Sequence, residues 1–217
     1  MTEPAGAAGP ARIVLATRNP GKLAELRRIL AAAGVSAAVT DLEDVPGMPE
    51  VAETGRSFTE NALLKAREVA AFTGLPAVAD DSGLCVDALN GMPGVLSARW
   101  SGSHGDDEAN LQLLLAQLAD VPAGERGAQF VCVAALVLPS GGEHLAEGTV
   151  RGQLTRSPRG SNGFGYDPIF VPDGFELTTA QMSADEKDKI SHRGKALRAL
   201  APVIATALGG WPRAAWG

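Results

Sequence analysis

The chain has 217 residues, of which 45% are hydrophobic and 20% are charged. This length and composition are typical of a folded protein with one sizeable core. The formal net charge of -6 argues against nucleic-acid binding through bulk electrostatics, although a small anionic ligand needs only a local cluster of cations. The apolar runs are too short, or too interrupted by proline, to span a bilayer, so no membrane partner is expected.

The start of the sequence lacks a charged-then-apolar secretory signal. Both cysteines, Cys85 and Cys132, lie in apolar runs without metal-type spacing. Reduced thiols in a core are the favoured interpretation, so we expect a cytoplasmic protein.

The first half of the chain begins with an expected disordered tail at residues 1–11. An apolar strand at 12–16 then leads into the loop 17–22, and a helix with apolar residues at helical spacing follows to about residue 33. A polar, glycine-containing loop between a strand and a helix can present backbone N–H groups to an anion. It lacks the full spacing of a Walker P-loop, and an ordinary strand-to-helix turn with a solvated lysine remains the alternative.

A second strand is predicted at 35–40, and the acidic loop 41–55 that follows carries Glu53. Ser57 and Glu60 form a capping-box pattern that predicts a helix to about residue 73. Asn61 and Lys65 lie one turn apart at the border of its apolar stripe. The lysine either joins a functional site or extends its charged end to solvent.

The most informative stretch is the apolar run 75–79 followed by Asp80, Asp81, Ser82 and Gly83. It predicts a short buried strand that ends at two acids on the rim of a sheet, where ligands bind in open α/β folds. Neighbouring aspartates repel each other unless a cation neutralises them, and Mg²⁺ suits carboxylates combined with substrate phosphates. A turn built from Asp, Ser and Gly is the alternative.

In the second half, residues 106–119 predict an amphipathic helix and residues 130–138 and 143–150 an antiparallel hairpin. A basic loop at 156–163 precedes the stretch 164–168, and Ser183 with Glu186 forms a second capping box. A last helix runs to about residue 208, and residues 210–217 are an unassigned tail. The whole indicates one α/β domain over residues 12–209.

Cations gather where the last helix is expected to begin, at Lys187, His192 and Arg193. The helix dipole disfavours cations at that end, so convergence on a bound anion would explain them, whereas a solvated charged face is the alternative. Phe164 and Tyr166 flank Gly165, and a ring at such a turn can stack on a flat base. Both rings could equally be core residues, and for Tyr166 the core is the better interpretation.

These residues occur in motifs that identify a family: Thr-x-Asn-x-x-Lys at 17–22, Glu-Thr-Gly at 53–55, Phe-x-Glu-Asn-Ala-x-x-Lys at 58–65, Ala-Asp-Asp-Ser-Gly-Leu at 79–84, Ser-Ala-Arg-Trp-Ser-Gly at 97–102, Gly-Phe-Gly-Tyr-Asp-Pro at 163–168 and Ser-His-Arg-Gly at 191–194. In this combination the sequence resembles the RdgB/Ham family, the inosine-triphosphatase-like pyrophosphatases that remove non-standard purine nucleoside triphosphates. The resemblance covers residue 13 to about residue 208.

The resemblance implies an α/β fold with two lobes around a long mixed β-sheet, flanking helices and a central cleft, assembled as a homodimer. It implies Mg²⁺-dependent hydrolysis of ITP, dITP and XTP to the monophosphate and pyrophosphate. Glu53 and Asp81 would bind the metal, and Asp81 would also activate water. The implied nucleotide-binding residues are Thr17, Arg18, Asn19, Pro20, Gly21, Lys22, Ser82, Phe164, Gly165, Tyr166, Asp167, Lys187, His192 and Arg193. Asp80, Lys65 and Arg99 are additional candidates.

Two other functions remain open at this point. One is a nucleotide-binding sensor that has the same cleft but no turnover, although acids at both Glu53 and Asp81 argue against a mere anion binder. The other is a pyrophosphatase for damaged or modified pyrimidine nucleotides.

Overall fold

A computed structural model of the protein describes residues 11–209. The strands are β1 (Ala11–Leu15), β2 (Ala37–Thr40), β3 (Ala77–Val86), β4 (Gly127–Val137), β5 (Glu143–Leu154) and β6 (Phe170–Pro172), and the helices are α1 (Pro20–Ala32), α2 (Phe58–Thr73), α3 (Asp107–Gln117), α4 (Ala184–Ile190) and α5 (His192–Gly209). Strand β1 thus includes Ala11, which the sequence assigned to the N-terminal tail. The rest of that tail and the tail at 210–217 lie outside the described residues. Within residues 11–209, no helix is long and apolar enough to cross a membrane.

The six strands form one mixed sheet in the order β2-β1-β3-β4-β5-β6. Strand β1 is parallel to both β2 and β3, whereas β3, β4, β5 and β6 pair antiparallel in sequence. The predicted hairpin is confirmed as the long pair β4–β5. The mixed sheet with flanking helices confirms the expected α/β class.

Strand β3 differs from its prediction, because it does not end at the two aspartates. It continues to Val86, and the antiparallel ladder with β4 pairs Asp80 with Ala134 and Asp81 with Val133. Consecutive strand residues point to opposite faces of a sheet, so the two carboxylates do not face each other and their predicted repulsion does not organise the site. On the other side of β3, β1 pairs only as far as Val78. The acids therefore lie just beyond the end of β1, along an edge of β3 that no described strand covers.

Three buried clusters pack against this sheet. One lies between the sheet and helices α1 and α5, a second lies against α2 on the opposite face, and a third joins the far ends of β3, β4 and β5 to α3 and β6. The first two clusters form one lobe and the third forms the other, as the family resemblance implies.

The start of α5 is held unusually close to the sheet. A Cβ atom on Gly148 of β5 would lie 2.1 Å from the carbonyl oxygen of His192 and 2.6 Å from the backbone nitrogen of Ala196. Only a glycine allows this approach, and it positions His192 and Arg193 directly over the sheet.

Candidate active site

The loop 17–22 closes the N-terminus of α1 with its own side chains. The Asn19 side chain is the helix cap and accepts hydrogen bonds from the backbone N–H groups of Gly21 (2.9 Å) and Lys22 (3.3 Å). The Thr17 hydroxyl accepts the N–H of Asn19 at 3.1 Å, and Arg18 donates to the carbonyl of Met48 at 3.3 Å. Two of the N–H groups expected to meet an anion are thus already bonded, and the Lys22 ammonium is the part of the loop that turns toward the acids.

Lys22, Glu25, Asp80 and Arg193 form a charge cluster around the buried Asp80 on one face of β3, here called the Asp80 cluster. Lys22 Nζ lies 2.7 Å from Asp80 Oδ2, and Arg193 Nε lies 3.2 Å from Asp80 Oδ1. Arg193 also forms an ion pair with Glu25 of α1. Burial alone would raise the pKa of Asp80, but Lys22 and Arg193 outweigh it and hold this pKa far below its usual value.

Two features of the Asp80 cluster were not expected. Two cations and two carboxylates balance one another, so Arg193, only 8% exposed, does not wait unpaired for an anion. Ser82 follows Asp80 on the same face of β3, and its buried hydroxyl has no hydrogen-bond partner among residues 11–209.

Glu53, Asn61, Lys65 and Asp81 form a second cluster on the other face of β3, here called the Asp81 cluster. Lys65 Nζ lies 2.7 Å from Glu53 Oε1 and 3.3 Å from Asp81 Oδ1. Asn61 donates from Nδ2 to Asp81 Oδ2 at 3.0 Å. From the 3-10 turn Gly94–Arg99, Arg99 donates to the Glu53 carbonyl at 3.2 Å.

The two acids of this cluster differ in electrostatic environment. Burial raises the pKa of Asp81 above its usual value, and Lys65 and Asn61 offset this only in part. Burial also acts on Glu53, but Lys65 and Arg99 outweigh it and lower the pKa of Glu53. The pKa values of the two acids are therefore shifted in opposite directions, and the upward shift of Asp81 suits a group that accepts a proton.

The donor set of the Asp81 cluster fits Mg²⁺. Two carboxylates converge on one ammonium group, which marks a position where a positive charge is favoured, and all potential ligands are oxygen atoms. No group of three or more His, Cys, Asp or Glu side chains suited to a metal occurs in the described part of the chain. Mg²⁺ is commonly held by only one or two carboxylates together with water and substrate phosphates.

A third group of residues surrounds the loop 163–167. Asp167 is buried and accepts hydrogen bonds from the Phe164 N–H (2.9 Å) and the Thr179 hydroxyl (2.8 Å), and it forms an ion pair with Lys187. The Phe164 ring is exposed, and Lys187 Nζ lies 5.0 Å from its centroid. An exposed ring held beside a cation is suited to stacking on a flat, electron-rich base.

His192 lies beside this loop, with its ring stacked on Phe130 at a centroid distance of 5.0 Å. Burial, together with the nearby Lys187, lowers the pKa of His192 to about 4, so the imidazole is neutral at pH 7. Phe130, Asp167, Lys187 and His192 line a small cavity. The interpretation of three cations at one helix start is thus wrong for two of them, because His192 is neutral and Lys187 lies in the last turn of α4, where the dipole favours a cation.

Tyr166 and Gly165 do not line this cavity. Tyr166 belongs to the third core cluster, and its hydroxyl donates to the carbonyl of Ser97 at 2.9 Å. Gly165 N–H donates to Asp107 at 2.8 Å. These contacts agree with the core interpretation of Tyr166 and join the loop to the neighbouring turn and helix α3.

Sequence reasoning did not assign a role to Glu25 or to Asn61. Glu25 follows Lys22 by one helical turn, and its partner Arg193 is 168 positions away. Asn61 precedes Lys65 by one turn, a spacing that places both side chains on one face of α2. This spacing was the available signal for Asn61, whereas the partner of Glu25 becomes known only from the structure.

Sequence comparison places these residues in a known family. The model of the Ham1 family matches residues 13–203. A dITP/XTP pyrophosphatase from Nocardia farcinica is 61% identical over 196 residues, which cover 90% of this chain and 95% of that protein. A protein of the same name from Streptomyces avermitilis is 59% identical over 198 residues, covering 91% and 99%.

Solved structures agree. A crystal structure of a nucleoside-triphosphatase, a dITP/XTP pyrophosphatase, from Mycobacterium abscessus has 59% identity and a TM-score of 0.77, and the match covers 89% of this chain and 99% of that one. A HAM1 protein from Coxiella burnetii has 41% identity and a TM-score of 0.84, covering 90% and 99%. The family model spans most of the chain and the relatives match over nearly their full length, so this chain belongs to the Ham1 family.

Proposed function

We propose that this protein hydrolyses non-standard purine nucleoside triphosphates, such as ITP, dITP and XTP, to the nucleoside monophosphate and pyrophosphate. The names of its relatives support the substrate class. The observation that carries the chemistry is the Asp81 cluster, in which the buried Asp81 carboxylate and a second acid flank a position that favours a cation.

The three groups of residues divide the substrate between them in this proposal. Lys22, whose side chain is 33% exposed, binds the triphosphate together with the loop that begins at Thr17. Phe164, Lys187 and His192 surround the base. A nucleotide that reaches both Lys22 and Asp81 crosses the open edge of β3 beyond Val78, because the two side chains lie on opposite faces of the sheet.

Hydrolysis requires a base that activates water and positive charge that neutralises the leaving pyrophosphate. Asp81 accepts the proton of the water molecule that attacks the α-phosphorus, while the bond from that phosphorus to the oxygen bridging the β-phosphate breaks and pyrophosphate leaves. Lys65 and Lys22 stabilise charge on the phosphate oxygens. Glu53 and Asp81 would hold Mg²⁺, which when bound would supply further charge neutralisation and polarise the phosphate.

Base choice follows from the donors around the cavity. Inosine and xanthosine carry a 6-oxo acceptor where adenosine carries an amino donor. The Lys187 ammonium is a donor only, so an adenine amino group facing it would leave buried donors unmatched. Each mismatch costs about 1–3 kcal/mol, which makes ATP a poor substrate.

The remaining features of the proposal concern the setting of the enzyme. Residues 12–209 form one domain, and the protein acts as a homodimer in the cytoplasm, without nucleic acid or membrane. Two unpaired cysteines, Cys85 and Cys132, suit a reducing compartment. Sedimentation equilibrium of the purified protein tests the dimer.

Pyrophosphate release tests the function directly. With Mg²⁺ present, dITP and XTP should have kcat/KM values about 5- to 150-fold above that of ATP, the range that corresponds to one mismatch of about 1–3 kcal/mol. Release should stop in EDTA, and Asp81→Asn should lower turnover at least ~10²-fold, as expected for loss of a positioned base.

Equal efficiency on ATP would contradict the proposed nucleobase preference. Tight dITP binding without release would favour the sensor, and a preference for modified pyrimidines would favour the other pyrophosphatase.

A further inference from the structure

Asn61 connects the two chain segments that carry the site's acids. Its Nδ2 donates to Asp81 Oδ2 at 3.0 Å, and its Oδ1 accepts the backbone N–H of Gly55 at 2.8 Å. Gly55 lies two positions after Glu53. The Asn61 side chain is completely buried. Water therefore cannot replace a lost partner, and breaking either hydrogen bond costs free energy.

The orientation of this amide is determined by its partners. The donor end faces a carboxylate and the acceptor end faces an N–H group, so a reversed amide would place oxygen against oxygen and nitrogen against nitrogen. With Asp81 Oδ2 held by Asn61, the other oxygen, Oδ1, lies on the side of Lys65 and Glu53. The rotation of the Asp81 carboxylate is thereby fixed.

Gly55 approaches α2 so closely that the loop cannot move inward or tolerate a side chain. A Cβ atom at this position would lie 2.6 Å from Asn61 Oδ1 and 2.7 Å from the Cβ of Glu60. The contact between Gly55 and Asn61 therefore sets the distance from the Glu53 segment to the helix.

We propose that Asn61 is a positioning residue that sets the spacing of Glu53 and Asp81 for a divalent cation. This inference rests on the proposed function. Lys65 also bridges the two acids, but its positive charge opposes a cation that arrives between them. A neutral amide holds both segments whether or not the cation is bound, and partners of this kind behind metal ligands control their orientation.

The test measures metal binding without turnover, with Mn²⁺ alone as the probe. Free Mn²⁺ is counted by electron paramagnetic resonance during titration of the protein. Asn61→Ala should weaken Mn²⁺ binding 10- to 100-fold, about the range found for partners of metal ligands. Gly55→Ala is a second variant, which displaces the same contact from the loop side and should also weaken binding.

Val69→Ala is the matched control, because Val69 is a fully buried residue two turns along the same helix and packs within the apolar cluster between α2 and the sheet. It should lower the melting temperature and leave Mn²⁺ affinity within twofold of the wild type. The proposal is overturned if the Asn61 and Gly55 variants bind Mn²⁺ as the wild type does, if Val69→Ala weakens binding equally, or if the wild type binds no Mn²⁺.

Pyrophosphate release from dITP distinguishes failure of the proposed function from failure of the role assigned to Asn61. Wild-type cleavage together with unchanged Mn²⁺ affinity in both variants would reject the role of Asn61 alone. Weakened Mn²⁺ binding in the variants, with no cleavage of any nucleotide by the wild type, would reject the enzymatic function and keep the positioning role.

Discussion

Asp80 and Asp81 are neighbours in sequence and have different physical roles. Asp80 is neutralised by Lys22 and Arg193 on one face of β3, and Asp81 contacts Lys65 and Asn61 on the other. The two environments shift the carboxylates in opposite directions, because burial raises the pKa of Asp81 whereas Lys22 and Arg193 outweigh burial and lower the pKa of Asp80. The charged form is thus strongly favoured at Asp80 and less favoured at Asp81.

These environments predict opposite effects of two isosteric substitutions on stability. Asp80→Asn leaves Lys22 without its carboxylate partner and leaves Arg193 with Glu25 alone. It should lower the free energy of unfolding by about 3 kcal/mol, the lower end for breaking a buried pair, since Arg193 keeps one partner. Asp81→Asn should leave it unchanged or slightly higher, because burial disfavours the charged form. Urea unfolding in EDTA measures both values. A larger loss for Asp81→Asn would reverse the assignment of roles.

At the scale of elements, the site depends on how closely α5 lies against β5. Gly148 permits this contact, since backbone atoms of α5 lie where its Cβ would be. A side chain there must push the start of the helix outward, because backbone cannot rotate away as a flexible side chain can.

Gly148→Ala is therefore expected to affect both stability and substrate binding. Overpacking should cost about 1–3 kcal/mol of unfolding free energy, and displacement of His192 and Arg193 should raise the KM for dITP more than it lowers kcat. Gly124→Ala is the control, because a Cβ at Gly124 meets nothing within 4 Å. Urea unfolding and steady-state kinetics provide the readouts, and a Gly148 variant that behaves like the Gly124 variant would show that the contact is adaptable.

Local elements were predictable from sequence, and their long-range partners were not. Apolar spacing located α1, Ser57 is the cap at the predicted start of α2, and the Ser183–Glu186 capping box is present at the start of α4. The path of β3 past Asp81 was mispredicted, because polar residues inside a strand depend on pairing with β4, some fifty residues further along. The neutral state of His192 was also missed, since it results from burial under elements that are distant in sequence.

At the scale of the whole molecule, one sheet carries two clusters on opposite faces, and each helix layer serves one of them. Helices α1 and α5 supply the partners of Asp80, whereas α2 supplies those of Asp81. The helix layers are held by separate buried clusters, so a ligand that crosses the edge of β3 contacts both layers. Nucleotide binding is therefore expected to stabilise the lobe as a unit.

The neutral His192 predicts how the stability of the molecule changes with pH. Its folded-state pKa of about 4 is below the unfolded value of about 6.5, so between these values the unfolded chain binds a proton that the folded chain does not. The contribution of His192 to stability is complete above pH 6.5 and is lost as the pH falls toward 4.

His192→Gln removes this titration and keeps a neutral side chain. The difference in unfolding free energy between wild type and variant should shrink or reverse on acidification from pH 7 to pH 4, by at most about 1.4 kcal/mol per pH unit. Urea titrations at half-unit intervals measure this difference. A difference that stays constant across the interval would mean that His192 takes up its proton equally in the folded and unfolded states. The assignment of a neutral imidazole to His192 at pH 7 would then be wrong.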